Sequence, residues 1–278
     1  MRTRLPVLAA LAALGSIAGA VAEDGAPKFE IVRIPQDPYP STYRPVGAAP
    51  VLIRGATVWD GAGHEIAGAD VLIADHRISA IGTHLTPPQG AVVVDGAGRY
   101  VTPGIIDIHS HLGVYPSPSV RAHSDGNEAT HASSPEVWAE HSVWPQDPGF
   151  ARALAGGVTT LQILPGSANL FGGRSAVIKN VPSRTVQGMK FPDAPYGLKM
   201  ACGENPKRVY GEKSGPSTRM GNMAGYRAQW LKAQKYRREW DEYYVKAAAY
   251  QAKLAKGQAG DKDPPKAPDR DLAMDTLS

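Results

Sequence analysis

Hydrophobic positions change texture several times along the chain. Residues 1–22 are rich in Ala and Leu, and residues 23–50 are rich in proline and follow neither the strand period nor the helix period. From Val51 the pattern becomes short β-branched runs separated by glycine: VLIRGATVWDGAG, ADVLIADHRISAIG and AVVVDGAGRYVTPG. Short strands at close intervals with turn residues between them predict a small β-sandwich subdomain over residues 51–100. The texture then turns to β/α. IIDIHSHLG predicts a strand, FARALAGGVTTLQIL a helix stopped at Gly156 and Gly157 and followed by a strand, and SAVIKNV and YGLKMACG two more strands. Over residues 221–256 Tyr226, Trp230, Trp240, Tyr244, Ala248 and Leu254 recur near helical spacing, which predicts a long amphipathic helix. GQAGDKDPPKAPDRD reads as a polar connector that does not order by itself, so that helix and connector together occupy residues 221–270; DLAMDTLS begins another helix.

Charge and composition narrow the setting. Arg2 and Arg4 precede the apolar stretch, and Ala20 and Ala22 flank Val21, the pattern of a secretory signal peptide cut after Ala22. The expected product is an exported protein, in a bacterial periplasm, with no stable membrane anchor after cleavage; residues 23–50 are then an extended leader. Loss of Arg2 and Arg4 takes the formal charge from +4 to +2, a balance that predicts no nucleic-acid partner. The predicted long helix is basic, with eight Lys and Arg against three acids, and reads as a solvated outer face. Cys202 is the single cysteine, so no internal disulfide forms and stability comes from core burial; flanked by Ala201 and Gly203, it reads as a small buried residue.

Candidate chemistry concentrates in PGIIDIHSHLG, residues 103–113. Alternate side chains of a strand share a face, so His109 and His111 leave one side together, with Asp107 on that side and Ser110 on the other. Two neutral imidazoles converging from a strand end suit a divalent transition metal, with Asp107 as an orienting group or weak ligand. A merely polar strand end has the same sequence. His123, His131 and His141 lie in a polar loop where contact with a substrate is the functional reading and simple exposure the structural one. Glycine-rich GSANLFGGR lacks the Gly-Lys-Ser/Thr ending that a nucleotide cradle requires.

VTPGIIDIHSHLG, with the glycine-punctuated strands before it and GVTTL after it, resembles the N-terminal part of the metal-dependent amidohydrolase superfamily. GSANLFGGRSAVIK and GLKMACGENPKRVYG are similar, more narrowly, to exported imidazolonepropionase-like amidohydrolases. The resemblance implies an α/β fold: a (β/α)8 TIM-like barrel carrying a small β-sandwich, with one or two divalent ions, zinc by expectation, at the strand ends. His109 and His111 are then metal ligands. Lys199 is the candidate for a carboxylated bridging lysine, Lys179 its competitor, and Glu204 an alternative carboxylate ligand. Arg174, in a loop approaching the substrate, is a candidate carboxylate contact.

The resemblance also implies further histidines and a general-base aspartate beyond Ser278. Residues 101–278 number 178 against roughly 250 for a whole barrel, so the expectation is the first part of one, inactive and prone to aggregate by itself. The implied function is hydrolysis of carbon–nitrogen bonds other than peptide bonds, in cyclic amides or related small molecules, by metal-activated water. An Xaa-Pro or Xaa-Arg dipeptidase of the same superfamily, with a dipeptide substrate, and a non-catalytic exported binding or scaffold protein are the alternatives.

Overall fold

A computed structural model describes residues 29–258 and 263–278; the expected signal peptide lies outside them. Strands β1 (Val51–Trp59), β2 (Glu65–Ala74), β3 (Arg77–Gly82), β4 (Val92–Asp95) and β5 (Tyr100–Val101) form one mixed sheet. The β2–β3 turn is fixed by Asp75 and His76, both at positive φ, the geometry that a two-residue hairpin demands. Instead of the two facing sheets of the expected sandwich, a single β1 serves both halves: Val51 to Arg54 pair with β4, and Thr57 and Val58 with β5. The register of β1 slips between Ile53 and Ala56, and buried Asp70 holds that irregularity by accepting the Gly55 and Leu85 amide protons, each at 2.9 Å.

The second unit starts with β6 (Ile105–Ser110), α1 (Pro148–Ala155) and β7 (Val158–Ile163), a parallel β-α-β crossover, and β9 (Ala176–Lys179) joins β7 antiparallel. Helix α1 starts where Asp147 accepts the Gly149 amide with Pro148 in the first turn, and it stops at Gly156 and Gly157 as the sequence predicts. Phe150, Leu161, Ile163, Ile178 and Met189 fill the core between them. A separate ribbon pairs β8 (Phe171–Arg174) with β10 (Leu198–Met200). Among the described residues the strands do not close into a barrel.

After α2 (Glu204–Tyr210) comes α3 (Arg219–Leu254), capped by Thr218. Its buried side follows the predicted stripe only at Tyr226 and Trp240, with Tyr244 at its margin. Tyr226, Ala233, Trp240 and Ala247 repeat every seventh residue, with Tyr236 and Tyr243 between them, whereas Trp230 is 38% exposed. That is the spacing of a narrow seam. Phe171 of β8, Phe29, Ile31 and Ile34 of the leader, and Met274 and Leu277 of α4 (Leu272–Leu277) cover this seam. The described part of the connector does not float free: Ala267 packs on the same cluster. None of the helices among the described residues is long and apolar enough to cross a membrane.

Ions pin the leader. Lys190, 3% exposed, contacts buried Glu140 at 3.0 Å and Asp37 of the leader at 2.8 Å, and its ammonium also donates to the Tyr39 carbonyl. Removing one partner of a buried pair strands the other charge. Lys190→Ala is therefore expected to lower unfolding stability by about 3–5 kcal/mol, and Asp37→Asn by much less because Asp37 is partly solvated; urea titration of both variants checks the ranking.

Candidate metal centre

The structure puts the two imidazoles together. Their ring centroids are 5.3 Å apart and nearly perpendicular, while Ser110 between them is buried on the opposite side. His109 is the penultimate residue of β6, and His111 stands just past the strand end. Asp107 does not orient an imidazole: its carboxylate accepts the His109 backbone N–H at 3.0 Å, which stiffens the strand end instead. The His111 ring is oriented by the Leu164 carbonyl, 2.9 Å from Nδ1. A carbonyl only accepts, so Nδ1 carries a proton, and in the neutral ring the lone pair is then on Nε2.

Lys199 completes the group. Its Nζ lies 3.2 Å from His109 Nε2, and the residue is 8% exposed. Burial pushes its amine below the ordinary lysine value, toward the neutral form. Space for the lysine stem comes from Gly172, where an added Cβ would touch Lys199 Cγ at 3.4 Å. Gly173, the cross-strand partner of Lys199, sits at φ +105° with the Val137 carbonyl 2.3 Å from where a Cβ would be, so only glycine fits there.

The other candidates lie elsewhere. Lys179 lays its ammonium over the rings of Phe191 and Tyr43, at 4.5 and 5.1 Å. Glu204 is bound to Lys207 at 2.6 Å. Neither joins the histidine pair, and among the described residues no three His, Cys, Asp or Glu side chains are gathered as a metal cluster. His123 packs against Trp144, His131 is exposed, and His141 packs edge-on against Tyr39. Cys202, expected to be buried, is exposed, in the short loop between β10 and α2. Arg174 stacks on Trp138 and bonds to α4 through Thr276 and the Asp275 carbonyl.

Two positioning residues escaped the sequence reading. Asp147 accepts amide protons from Gly113 at 2.9 Å and Ser117 at 3.3 Å, besides capping α1, and so ties down the chain that leaves His111. Ser175 is fully buried; its Oγ accepts from Gly197 N and Gln162 Nε2, each at 2.9 Å, and its own N–H donates to the Gly197 carbonyl at 2.8 Å. Asp147 before Pro148 carries only the signature of a helix N-cap, and Ser175 belongs to no recognisable motif. The only local signal of Ser175 is its position between two β-branched or glycine-rich runs.

A parallel β-α-β unit whose first strand ends in paired histidines, with a buried amine beside them, is an α/β arrangement. Comparison with known proteins agrees. The chain is 34% identical over 228 residues to "Amidohydrolase tasK" of Hapsidospora irregularis, covering 72% of this chain and 23% of the relative. A solved amidohydrolase from Thermotoga maritima MSB8 is 40% identical with a TM-score of 0.62, covering 81% of this chain and 54% of that one. A dihydroorotase of Citrifermentans bemidjiense is 44% identical over 62 residues, 22% of this chain and 15% of the relative. No protein-family profile matches. The chain belongs to the amidohydrolase superfamily. It spans about a quarter of the length of the first relative and about half of the solved chain.

Ser175→Ala leaves the Gly197 amide and Gln162 without their acceptor in a closed interior, at a cost of about 1–3 kcal/mol. The expected result is a lower denaturation midpoint; an unchanged midpoint removes Ser175 from the positioning role.

Proposed function

We propose that the whole protein is a metal-dependent hydrolase of carbon–nitrogen bonds other than peptide bonds, with cyclic amides as its substrate class. The observation that carries this reading is the approach of Lys199 Nζ to His109 Nε2 beside His111. The superfamily membership and the printed names of the relatives, amidohydrolase and dihydroorotase, support the substrate class.

The residues present fit a divalent ion. Zinc accepts imidazole nitrogens, and His111 already holds its Nε2 lone pair free through the Leu164 carbonyl. In this reading His109, His111 and Lys199 hold the metal. An ion there supplies Lewis acidity toward an amide carbonyl and toward water.

Lys199 serves in a modified form. An ammonium repels a cation, but a buried neutral amine attacks carbon dioxide, forms a nitrogen–carbon bond and releases a proton, which leaves a carbamate with two anionic oxygens. Burial of the amine favours that first step. His109 is more exposed than Lys199.

The full natural protein is expected to carry at least one divalent ion per chain by plasma emission, to open a cyclic amide ring, and to show a carbamate carbon signal after exposure to ¹³C-bicarbonate. His109→Ala with His111→Ala lowers the metal content at least tenfold, and Lys199→Ala abolishes the carbamate signal. Unchanged metal content in the double variant, or wild-type protein inert toward five- and six-membered cyclic amides, refutes the reading.

A further inference from the structure

A cavity of about 650 Å³ adjoins the histidine pair without including it. Its lining contains Pro165, which follows the carbonyl that orients His111, and Asn127, which bonds to Tyr115, whose ring lies 5.9 Å from that of His111. Tyr39, Trp138 and Arg174 form another part of the wall. The Tyr39 and Trp138 rings meet edge to face at 5.6 Å, and the Arg174 guanidinium lies 4.4 Å from the Trp138 ring centroid.

Arg174 is a cation without an anion of its own. Its Nε donates to Thr276 Oγ1 at 3.0 Å and its Nη2 to the Asp275 carbonyl at 3.1 Å, both neutral acceptors, and Nη1 has no hydrogen-bond partner among the described residues. Burial disfavours its charge, with Tyr196, Asp275 and Glu140 acting the other way. The two nearby carboxylates are already engaged, Asp275 by Arg270 at 2.5 Å and Glu140 by Lys190 at 3.0 Å. A guanidinium fork held over an indole ring, with donors to spare, is matched by a carboxylate.

We propose that this cavity binds a small planar organic carboxylate, its carboxylate on Arg174 and its planar part against Trp138 and Tyr39. Asp125, Glu128 and Glu136 also line the space, and the further lining pair Arg270 and Asp275 neutralise each other, so the occupant carries a single negative charge; a second would face the three acids. The inference rests on the hydrolase reading for the occupant's identity as substrate or product. Occupancy itself requires no metal.

Calorimetric titration of the full natural protein, stripped of metal, tests this with benzoate, neutral benzamide and cationic benzamidine as probes. Benzoate is expected to bind about tenfold or more tightly than either isostere. Arg174→Gln removes the preference and leaves benzamide binding unchanged, and Arg174→Lys keeps part of it. Thr276→Val, which deletes one contact of the arginine to α4 while keeping the charge, retains the benzoate preference and so separates anchoring from recognition. Equal binding of the three probes, tighter binding of benzamidine, or a benzoate preference that survives Arg174→Gln in folded protein overturns the proposal. Benzoate binding as expected in a protein that holds no metal and opens no cyclic amide would sink the hydrolase reading and leave the carboxylate site standing.

Discussion

The arrangement of the candidate centre depends on the three hydrogen bonds of Ser175. This residue is the only one between β8 and β9, and those strands belong to different sheets and different cores: Phe171 of β8 packs under α3, and Ile178 of β9 packs with β7 and α1. Ser175 therefore sits where the chain passes from one packed body to the other. Its bonds to Gly197 fix the start of β10, and its bond from Gln162 fixes β7, the strand beside β6. Lys199 lies two residues after Gly197, and His109 lies on β6. The 3.2 Å approach of their nitrogens is thus set by a junction of backbone and short side chains and not by the long lysine stem alone. A flexible lysine gains direction only if its base is immobile, and close packing with satisfied buried polar groups is what immobilises it.

The leader extends the same logic to the surface. A proline-rich segment has few backbone bonds to offer, yet residues 29–43 are held by both ends of the chemical scale. Phe29, Ile31 and Ile34 add apolar surface to the α3 seam, while Asp37, Ser41 and Thr42 bond to the segment around Lys190. Apolar burial supplies the attraction, and it has no direction. The ion set supplies the register, since a buried ammonium with two carboxylates admits few alternative seats. Tyr39 enters the wall of the cavity as a consequence of that register.

What was legible in the sequence follows the range of the interaction. The His-x-His pair, the α1 stop at Gly156 and Gly157, and the strands around Lys179 and Lys199 are set within a few residues, and they fall where spacing and turn chemistry put them. Lys199 stood out only through resemblance, and nothing local separated it from Lys179; the strand of Lys179 joins the histidine sheet, but its register puts Lys179 level with Thr160 and Ile106, away from the strand end that carries His109. Among the described residues the five strands of the expected sandwich lie in one sheet, with β1 pairing β2, β4 and β5, a pairing that a list of strands does not show. The stripe on α3 was drawn from its aromatic residues, but burial followed the heptad seam, so Ala233 and Ala247 are inside and Trp230 is half outside. Asp147 and Ser175 were invisible because their partners, Gly113 and Gly197, contribute only backbone amides, and any residue but proline offers one.

The two halves of the candidate centre are prepared by opposite means toward one end. A metal needs lone pairs, and proteins at neutral pH tend to cover them with protons. His111 solves this by donation: the Leu164 carbonyl takes the Nδ1 proton in a hydrogen bond and leaves the far nitrogen bare. Lys199 solves it by exclusion, since the ammonium form is the one that loses most when water is withdrawn. His109 does neither through a bond of its own outer nitrogen to protein carbonyl or carboxylate; it meets Lys199 and is the exposed member of the group. The polar framework around it, with Asp107 on its backbone amide, holds its position instead. A site organised this way spends little reorganisation when a ligand arrives, because the side chains that must present lone pairs are already aimed by groups that do not move with them.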